Sequence, residues 1–159
     1  MIKKIYIDID GVMTNGNKIY DGCGRISYKE YNDKDFSAIR ILRNLGIDVI
    51  FISGDRNINE NMATRRKIPF IYSRNKVTTV RDLEGDIKEF IAYIGDDIPD
   101  IPLLKEVYWS FCPADASPFV KHCTKYILKT NGGEGVIAEL FWNICNFNDI
   151  KIDNISSFF

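Results

Sequence analysis

Asp8 and Asp10 stand one residue apart at the end of a short apolar run that begins at Ile5. Two carboxylates held that close repel unless a cation or a proton lies between them, so the pair points to a metal site or to acid/base work. In phosphate chemistry, one carboxylate attacks phosphorus while a second protonates the departing alcohol and later activates water. Residues two apart on a regular strand share a face, which suits that division of labour. An Asp-x-Asp pair alone is equally compatible with structural capping.

Three further polar clusters follow apolar runs. The hydroxyl of Ser53 and the amide of Gly54 can donate to phosphoryl oxygens, although a serine so placed also caps helices. Lys76 offers an ammonium that would neutralise a phosphate and a nucleophile together; since most lysines are merely solvated, it gains meaning from its place in the series. Asp96, Asp97 and Asp100 then gather three carboxylates after an apolar strand, an oxygen-rich corner suited to magnesium.

These groups need elements to hold them. The apolar run from Ile5, bounded by Gly11, predicts a buried parallel strand whose carboxyl end lies where open α/β sheets bind ligands. Residues 18–31 alternate apolar and polar about a glycine-bearing centre, as a hairpin flap over that strand end would. Helices are predicted at 35–45, 57–67, 77–90, 100–105, 117–123 and 134–145, and further strands at 47–52, 68–72, 91–94, 107–111 and 126–128. That alternation predicts an α/β fold with one doubly wound parallel sheet. It occupies residues 1–146, and a polar tail, 147–159, is either loose or docked on a partner.

At 159 residues the chain can build one domain with a real core. A formal net charge of −1 with both signs spread along the chain argues against a nucleic-acid or membrane partner and for a small molecule. No apolar run approaches a membrane span, and Met1-Ile2-Lys3-Lys4 runs straight into the first strand, so the cytoplasm is the expected address. The four cysteines lack the close pairs of zinc sites, and a single histidine, His122, excludes a multi-histidine metal centre.

The order of acidic pair, hydroxyl, lysine and acidic cluster resembles the haloacid dehalogenase superfamily of phosphotransferases, over residues 3–139. Asp10-Gly11-Val12 with Thr14, followed by a hairpin and no cap domain, is similar to the capless branch that cleaves 3-deoxy-D-manno-octulosonate 8-phosphate and nine-carbon ulosonate 9-phosphates. Further similarity lies in Tyr31-Asn32-Asp33-Lys34-Asp35, Asp115-Ala116-Ser117-Pro118 and Gly132-Gly133-Glu134-Gly135. The resemblance implies a Rossmann-like fold and a magnesium-dependent phosphatase. Asp8 would be the nucleophile, Asp10 the acid/base, and Ser53 and Lys76 the phosphoryl grip. Asp8, the Asp10 carbonyl and Asp96 would hold Mg2+, with Asp97 in support and Asp100 orienting the lysine or the acidic loop. Gly11, Gly54, Asp55 and Arg56 would line the substrate site.

The same resemblance implies a homotetramer associated through the flaps. Asp55 stands where the eight-carbon enzymes usually carry arginine, the segment before Lys76 is short, and Ala138 replaces another usual arginine. Asp55 and the Gly132–Gly135 string are similar to the nine-carbon enzymes, which directs the substrate expectation to a nine-carbon 9-phosphate, with Asp55 facing the leaving group. Two other readings compete: a non-catalytic assembly domain of sugar-acid activation, which would have lost catalytic residues, and a phosphoacceptor receiver, whose acceptor aspartate lies mid-chain.

Overall fold

A computed structural model describes residues 1–87, 89–151 and 153. Six strands form one sheet: β1 (Lys4–Ile7), β4 (Asp48–Ser53), β5 (Phe70–Tyr72), β6 (Ile91–Ile94), β7 (Trp109–Cys112) and β8 (Tyr126–Ile127). Their spatial order is β5-β4-β1-β6-β7-β8, and every neighbouring pair is parallel. β1 therefore sits between β4 and β6, where the winding direction reverses and a crevice opens at the strand ends. The predicted doubly wound sheet is the observed one.

Parallel strands covered on both faces read as continuous apolar runs, and Ile5, Tyr6, Ile7 and all of Ile91–Ile94 are buried. On one face α1 (Asp33–Asn44) and α6 (Val136–Phe147) bury Phe36, Ile39, Leu42, Ile137, Leu140 and Ile144. On the other, α3 (Lys76–Glu84), α4 (Ile101–Glu106) and α5 (Pro118–Cys123) contribute Val80, Leu103, Leu104 and Val120. Each such side chain contributes about 1.5–3 kcal/mol by leaving water.

Side-chain caps set where helices begin. Asn32 accepts from the Lys34 amide at the start of α1, and Asn75 from the Thr78 amide at the start of α3. Lys76 is thus the first residue of α3 and not a residue ahead of it. Gly85, at φ +69°, ends α3 well short of the predicted residue 90. The remaining helix, α2 (Asn57–Arg65), follows β4.

The first strand departs from expectation in a way that matters. β1 stops at Ile7, and Ile9–Met13 forms a wide turn containing Gly11 at φ +88°. Asp8 and Asp10 therefore do not share a strand face. The Thr14 amide closes the turn on the Ile9 carbonyl at 3.1 Å.

The flap is present as β2 (Ile19–Tyr20) and β3 (Ile26–Tyr28), an antiparallel pair. Asp21 closes its turn by accepting from the amides of Cys23 and Arg25. At the other end of the chain, Asn148 clamps Ile2 through both its amide groups at 2.7 Å. Of the tail predicted at 147–159, residues 152 and 154–159 lie outside the described residues. No helix among the described residues is long and apolar enough to cross a membrane.

Candidate active site

The carboxyl ends of β1, β4 and β6 and the start of α3 converge on a cleft of about 550 Å³. Asp8, Asp10, Ser53, Gly54, Asp55, Lys76, Asp96, Asp97 and Asp100 all line it, so the four clusters separated in sequence meet in space. The size suits a small metabolite.

Asp8 follows β1 directly, and its amide still pairs with the Ile94 carbonyl at 3.0 Å, which fixes the backbone. Its Oδ1 lies 2.7 Å from Lys76 Nζ. Lys76 also meets Asp100 Oδ1 at 2.6 Å and donates to the Tyr93 hydroxyl at 3.2 Å. Both side chains of the Lys76–Asp8 pair are more than nine-tenths buried, so each would be costly without the other.

Asp100 is saturated. Oδ1 accepts from Lys76 and from the Tyr93 hydroxyl at 2.6 Å each, and Oδ2 from the amides of Asp96 and Asp97 at 3.0 and 3.2 Å. It anchors the lysine and the acidic loop, leaving no oxygen to spare for a metal. Asp96 is its opposite: Oδ1 is buried and has no hydrogen-bond partner among the described residues. Carboxylate oxygens of Asp8, Asp96 and Asp100 lie within 4.8 Å of one another.

Asp97 was expected among the metal-supporting residues, yet its Oδ1 accepts from the Ile98 amide at 2.8 Å and caps the short 3-10 turn Ile98–Asp100. It shapes the acidic loop, and the clustered carboxylates are those of Asp8, Asp96 and Asp100. An orphaned buried oxygen on Asp96, next to Asp8, is a donor set that fits a hard divalent cation.

Burial raises the carboxyl of Asp8 above the usual range, with the Asp100 charge adding to it, and burial together with Asp8, Asp100 and Asp97 does the same to Asp96. Burial works against the Lys76 ammonium, but Asp8 and Asp100 outweigh it and hold its pKa above the usual value. Metal-free, the site carries more negative charge than it can comfortably bury.

Ser53 is buried and its Oγ accepts from the Asp55 amide and from Asn59 Nδ2, both at 3.1 Å. With its oxygen occupied as acceptor, the hydroxyl proton remains to donate. Asp10 holds Lys29 of the flap against Oδ1 at 2.7 Å and Asn59 Nδ2 against Oδ2 at 3.0 Å.

Two expected substrate contacts are placed differently. Arg56 does not line the cleft; its guanidinium pairs with Glu60 at 2.8 Å, one helical turn on, and lies over the Tyr72 ring. Asp55 does line it, but Oδ2 is already held by Lys29 at 2.7 Å and Lys18 at 3.1 Å, tying the flap to the Ser53 loop.

Gly11 does not line the cleft either, because its role is to make room. A Cβ there would lie 1.9 Å from Asp96 Oδ2. A Cβ on Gly132 would lie 1.9 Å from the Gly11 carbonyl oxygen, so the glycine-rich loop braces the Asp8 loop from behind.

Lys29, Asn59, Tyr93 and Arg74 complete the site without having been marked by sequence. Alternation in the hairpin puts Lys29 and Tyr31 on one face, which was a usable signal. Asn59, in a polar helix, and Tyr93, in an apolar strand, offered none.

A model of the haloacid dehalogenase-like hydrolases matches residues 72–140. The chain is 34% identical over 149 residues to a 3-deoxy-D-manno-octulosonate 8-phosphate phosphatase of Haemophilus influenzae, covering 87% of this chain and 80% of that one. The cobalt-bound structure of the Haemophilus influenzae enzyme superposes with a TM-score of 0.83 at 32% identity, covering 91% of this chain and 88% of that one. An enzyme of the same name from Moraxella catarrhalis, solved with magnesium, phosphate and 3-deoxy-D-manno-octulosonate (KDO), gives a TM-score of 0.89 at 25% identity, covering 99% and 94%. With this fold, these relatives and this cleft together, the chain belongs to the haloacid dehalogenase-like phosphatases, in the group related to 3-deoxy-D-manno-octulosonate 8-phosphate phosphatase.

Proposed function

We propose that the chain is a magnesium-dependent phosphatase that releases phosphate from the eight-carbon 3-deoxy-octulosonate 8-phosphate through a phosphorylated Asp8. The observation that carries this reading is the Asp8 carboxylate held 2.7 Å from Lys76 beside the orphaned Asp96 oxygen, at the reversal point of the sheet.

Asp8 and Asp96 would hold Mg2+, which when bound offsets their charge and that of the phosphoryl oxygens. The Ser53 hydroxyl, the Gly54 amide and Lys76 hold the remaining phosphoryl oxygens. Asp8 attacks phosphorus, the ester P–O bond breaks, and Asp10 gives its proton to the departing alcohol. Asp10 then takes a proton from water as that water attacks phosphorus, releasing phosphate and restoring Asp8.

Engagement of Asp55 by two lysines removes the reason to prefer the nine-carbon ester, and relatives at 30–34% identity carry the eight-carbon name. Arg74, exposed at the cleft rim, is a cation that would meet the sugar-acid carboxylate. The flap leaves Ile19, Tyr20 and Tyr28 60%, 59% and 69% exposed, and association through these faces into a homotetramer would cover them. Retention of the Asp8–Lys76–Asp100 network disfavours a non-catalytic assembly domain.

The test is a panel of eight- and nine-carbon ulosonate phosphates and hexose phosphates, assayed with magnesium and after chelation. Highest kcat/KM on the eight-carbon ester, lost on chelation, is expected. Preference for the nine-carbon or hexose ester, or activity that survives exhaustive chelation, would overturn the reading.

A further inference from the structure

The flap is the most exposed part of the described chain, yet one of its side chains is buried. Lys29 has a side-chain exposure of 1%. Its Nζ donates to Asp55 Oδ2 at 2.7 Å and to Asn59 Oδ1 at 3.0 Å, and makes an ion-pair contact with Asp10 Oδ1 at 2.7 Å. Burying an ammonium is costly, and three oxygen partners from three other segments are what offset it.

Asp10 is held from both sides. Lys29 faces Oδ1 and Asn59 Nδ2 meets Oδ2 at 3.0 Å, while Asn59 is itself located by the Tyr31 hydroxyl, at 3.1 Å from its Oδ1. One direct partner of Asp10, Lys29, and the residue that locates the other, Tyr31, come from the flap or its exit, and β1 holds only the backbone before Asp8. A carboxylate on a wide turn has no strand to orient it, so its direction depends on these contacts.

Flap anchoring alone does not account for Lys29, because Lys18 of the same flap already pairs with Asp55 at 3.1 Å. What Lys29 adds is contact with Asp10. We propose that Lys29 is the positioning residue of the Asp10 acid/base, so that seating the flap on the Ser53 loop and α2 completes the proton-transfer group. The inference rests on the phosphatase reading above and adds to it a dependence of proton transfer on the flap.

Proton donation matters for an alkyl ester, whose alcohol leaves poorly, and little for p-nitrophenyl phosphate, whose phenolate departs without a proton. The test compares kcat/KM on 3-deoxy-octulosonate 8-phosphate and on p-nitrophenyl phosphate for wild type, Lys29→Met, Asp10→Asn and the double variant. The quantity kcat/KM reports the phosphoryl-transfer half and is blind to the later hydrolysis step. Since a general acid typically supplies about 10²–10⁴-fold, Lys29→Met should cost about 30-fold or more on the sugar ester and several-fold less on the aryl ester. In the Asp10→Asn background the same change should cost less than about threefold, because groups acting as a unit are not additive.

If Lys29→Met fails to fold, Lys29→Gln, which keeps donors for Asp55 and Asn59 but removes the charge facing Asp10, carries the same comparison. Equal losses on both esters, or full multiplicative losses in the double variant, would reduce Lys29 to a flap anchor and overturn the proposal. Wild-type protein inactive on both esters would overturn the phosphatase reading itself, and this proposal with it.

Discussion

Lys76 Nζ lies 2.6 Å from Asp100 Oδ1 and 2.7 Å from Asp8 Oδ1, so one ammonium links the carboxylate that shapes the acidic loop to the carboxylate placed for attack. Lys76→Met would leave the buried Asp8 and Asp100, and the half-buried Asp96 beside them, with no counter-charge. We expect metal-free protein to lose about 3–5 kcal/mol of stability, the usual effect of removing one partner of a buried pair. Denaturant unfolding in chelator measures it, and a change under about 1 kcal/mol would show that the pair is solvated.

Asp96 and Asp100 should respond in opposite ways. Asp96→Asn removes a half-buried charge whose Oδ1 has no partner among the described residues, so it should preserve or raise the melting temperature in chelator while sharply weakening magnesium binding. Asp100→Asn replaces one acceptor oxygen by an NH2 group facing two of the four donors, so it should lower that melting temperature. Melting curves with and without magnesium separate the two, and the same response from both variants would contradict the division between ligand and scaffold.

Much of this site could be read from residue order because strand ends in a parallel sheet converge by topology, so Asp8, Ser53, Lys76 and Asp96 needed only the right sequence of elements to meet. What could not be read depends on side-chain direction. Asp10 reaches the cleft through a wide turn and not along a strand face, and nothing in its neighbours Ile9 and Gly11 marks Lys29 and Asn59 as its partners. Arg56 and Asp55 look alike in sequence as polar residues after a phosphate loop. Glu60 captures one and the flap lysines the other, and both captors lie on other elements or a turn away. Gly85 stopped α3 early because a positive φ overrides the apolar periodicity that continues to Phe90.

The glycines behind the site set a steric limit. Gly11→Ala would drive a methyl group into the Asp96 carboxylate from a backbone at φ +88°, and Gly132→Ala would drive one into the Gly11 carbonyl. Each should destabilise the fold by about 1–3 kcal/mol, as overpacking and backbone strain do. Gly22→Ala, where nothing lies within 4 Å of the added carbon, is the control and should stay within about 0.5 kcal/mol. Thermal unfolding of the three variants decides it, and indistinguishable curves would contradict the packing described.

A pH effect should arise from a residue that does not line the cleft. Asp35 on α1 accepts from the Ile137 amide at 2.8 Å, with Oδ2 buried and unpartnered among the described residues. Burial raises its pKa to about 6, against the lowering pull of the Ile137 and Ala138 amides. The folded state then binds this proton more tightly than the unfolded chain, so the charging penalty is felt above pH ~6 and relieved as pH falls towards the ordinary carboxylate range. Relative to Asp35→Asn, wild type should gain about 1 kcal/mol between pH 7.5 and pH 5. Urea unfolding at the two values measures this, and a difference that stays flat or moves the other way would contradict it.

The central claim is that Asp8 becomes phosphorylated. Borohydride reduces an acyl phosphate to an alcohol, so quenching the enzyme with borohydride during turnover of the eight-carbon ester with magnesium should convert residue 8 alone to homoserine. Peptide mass spectrometry would find the change in the fragment carrying Asp8 and not in those carrying Asp10 or Asp96. Reduction at a different aspartate, or none at any residue while phosphate is released at the full rate, would contradict the account.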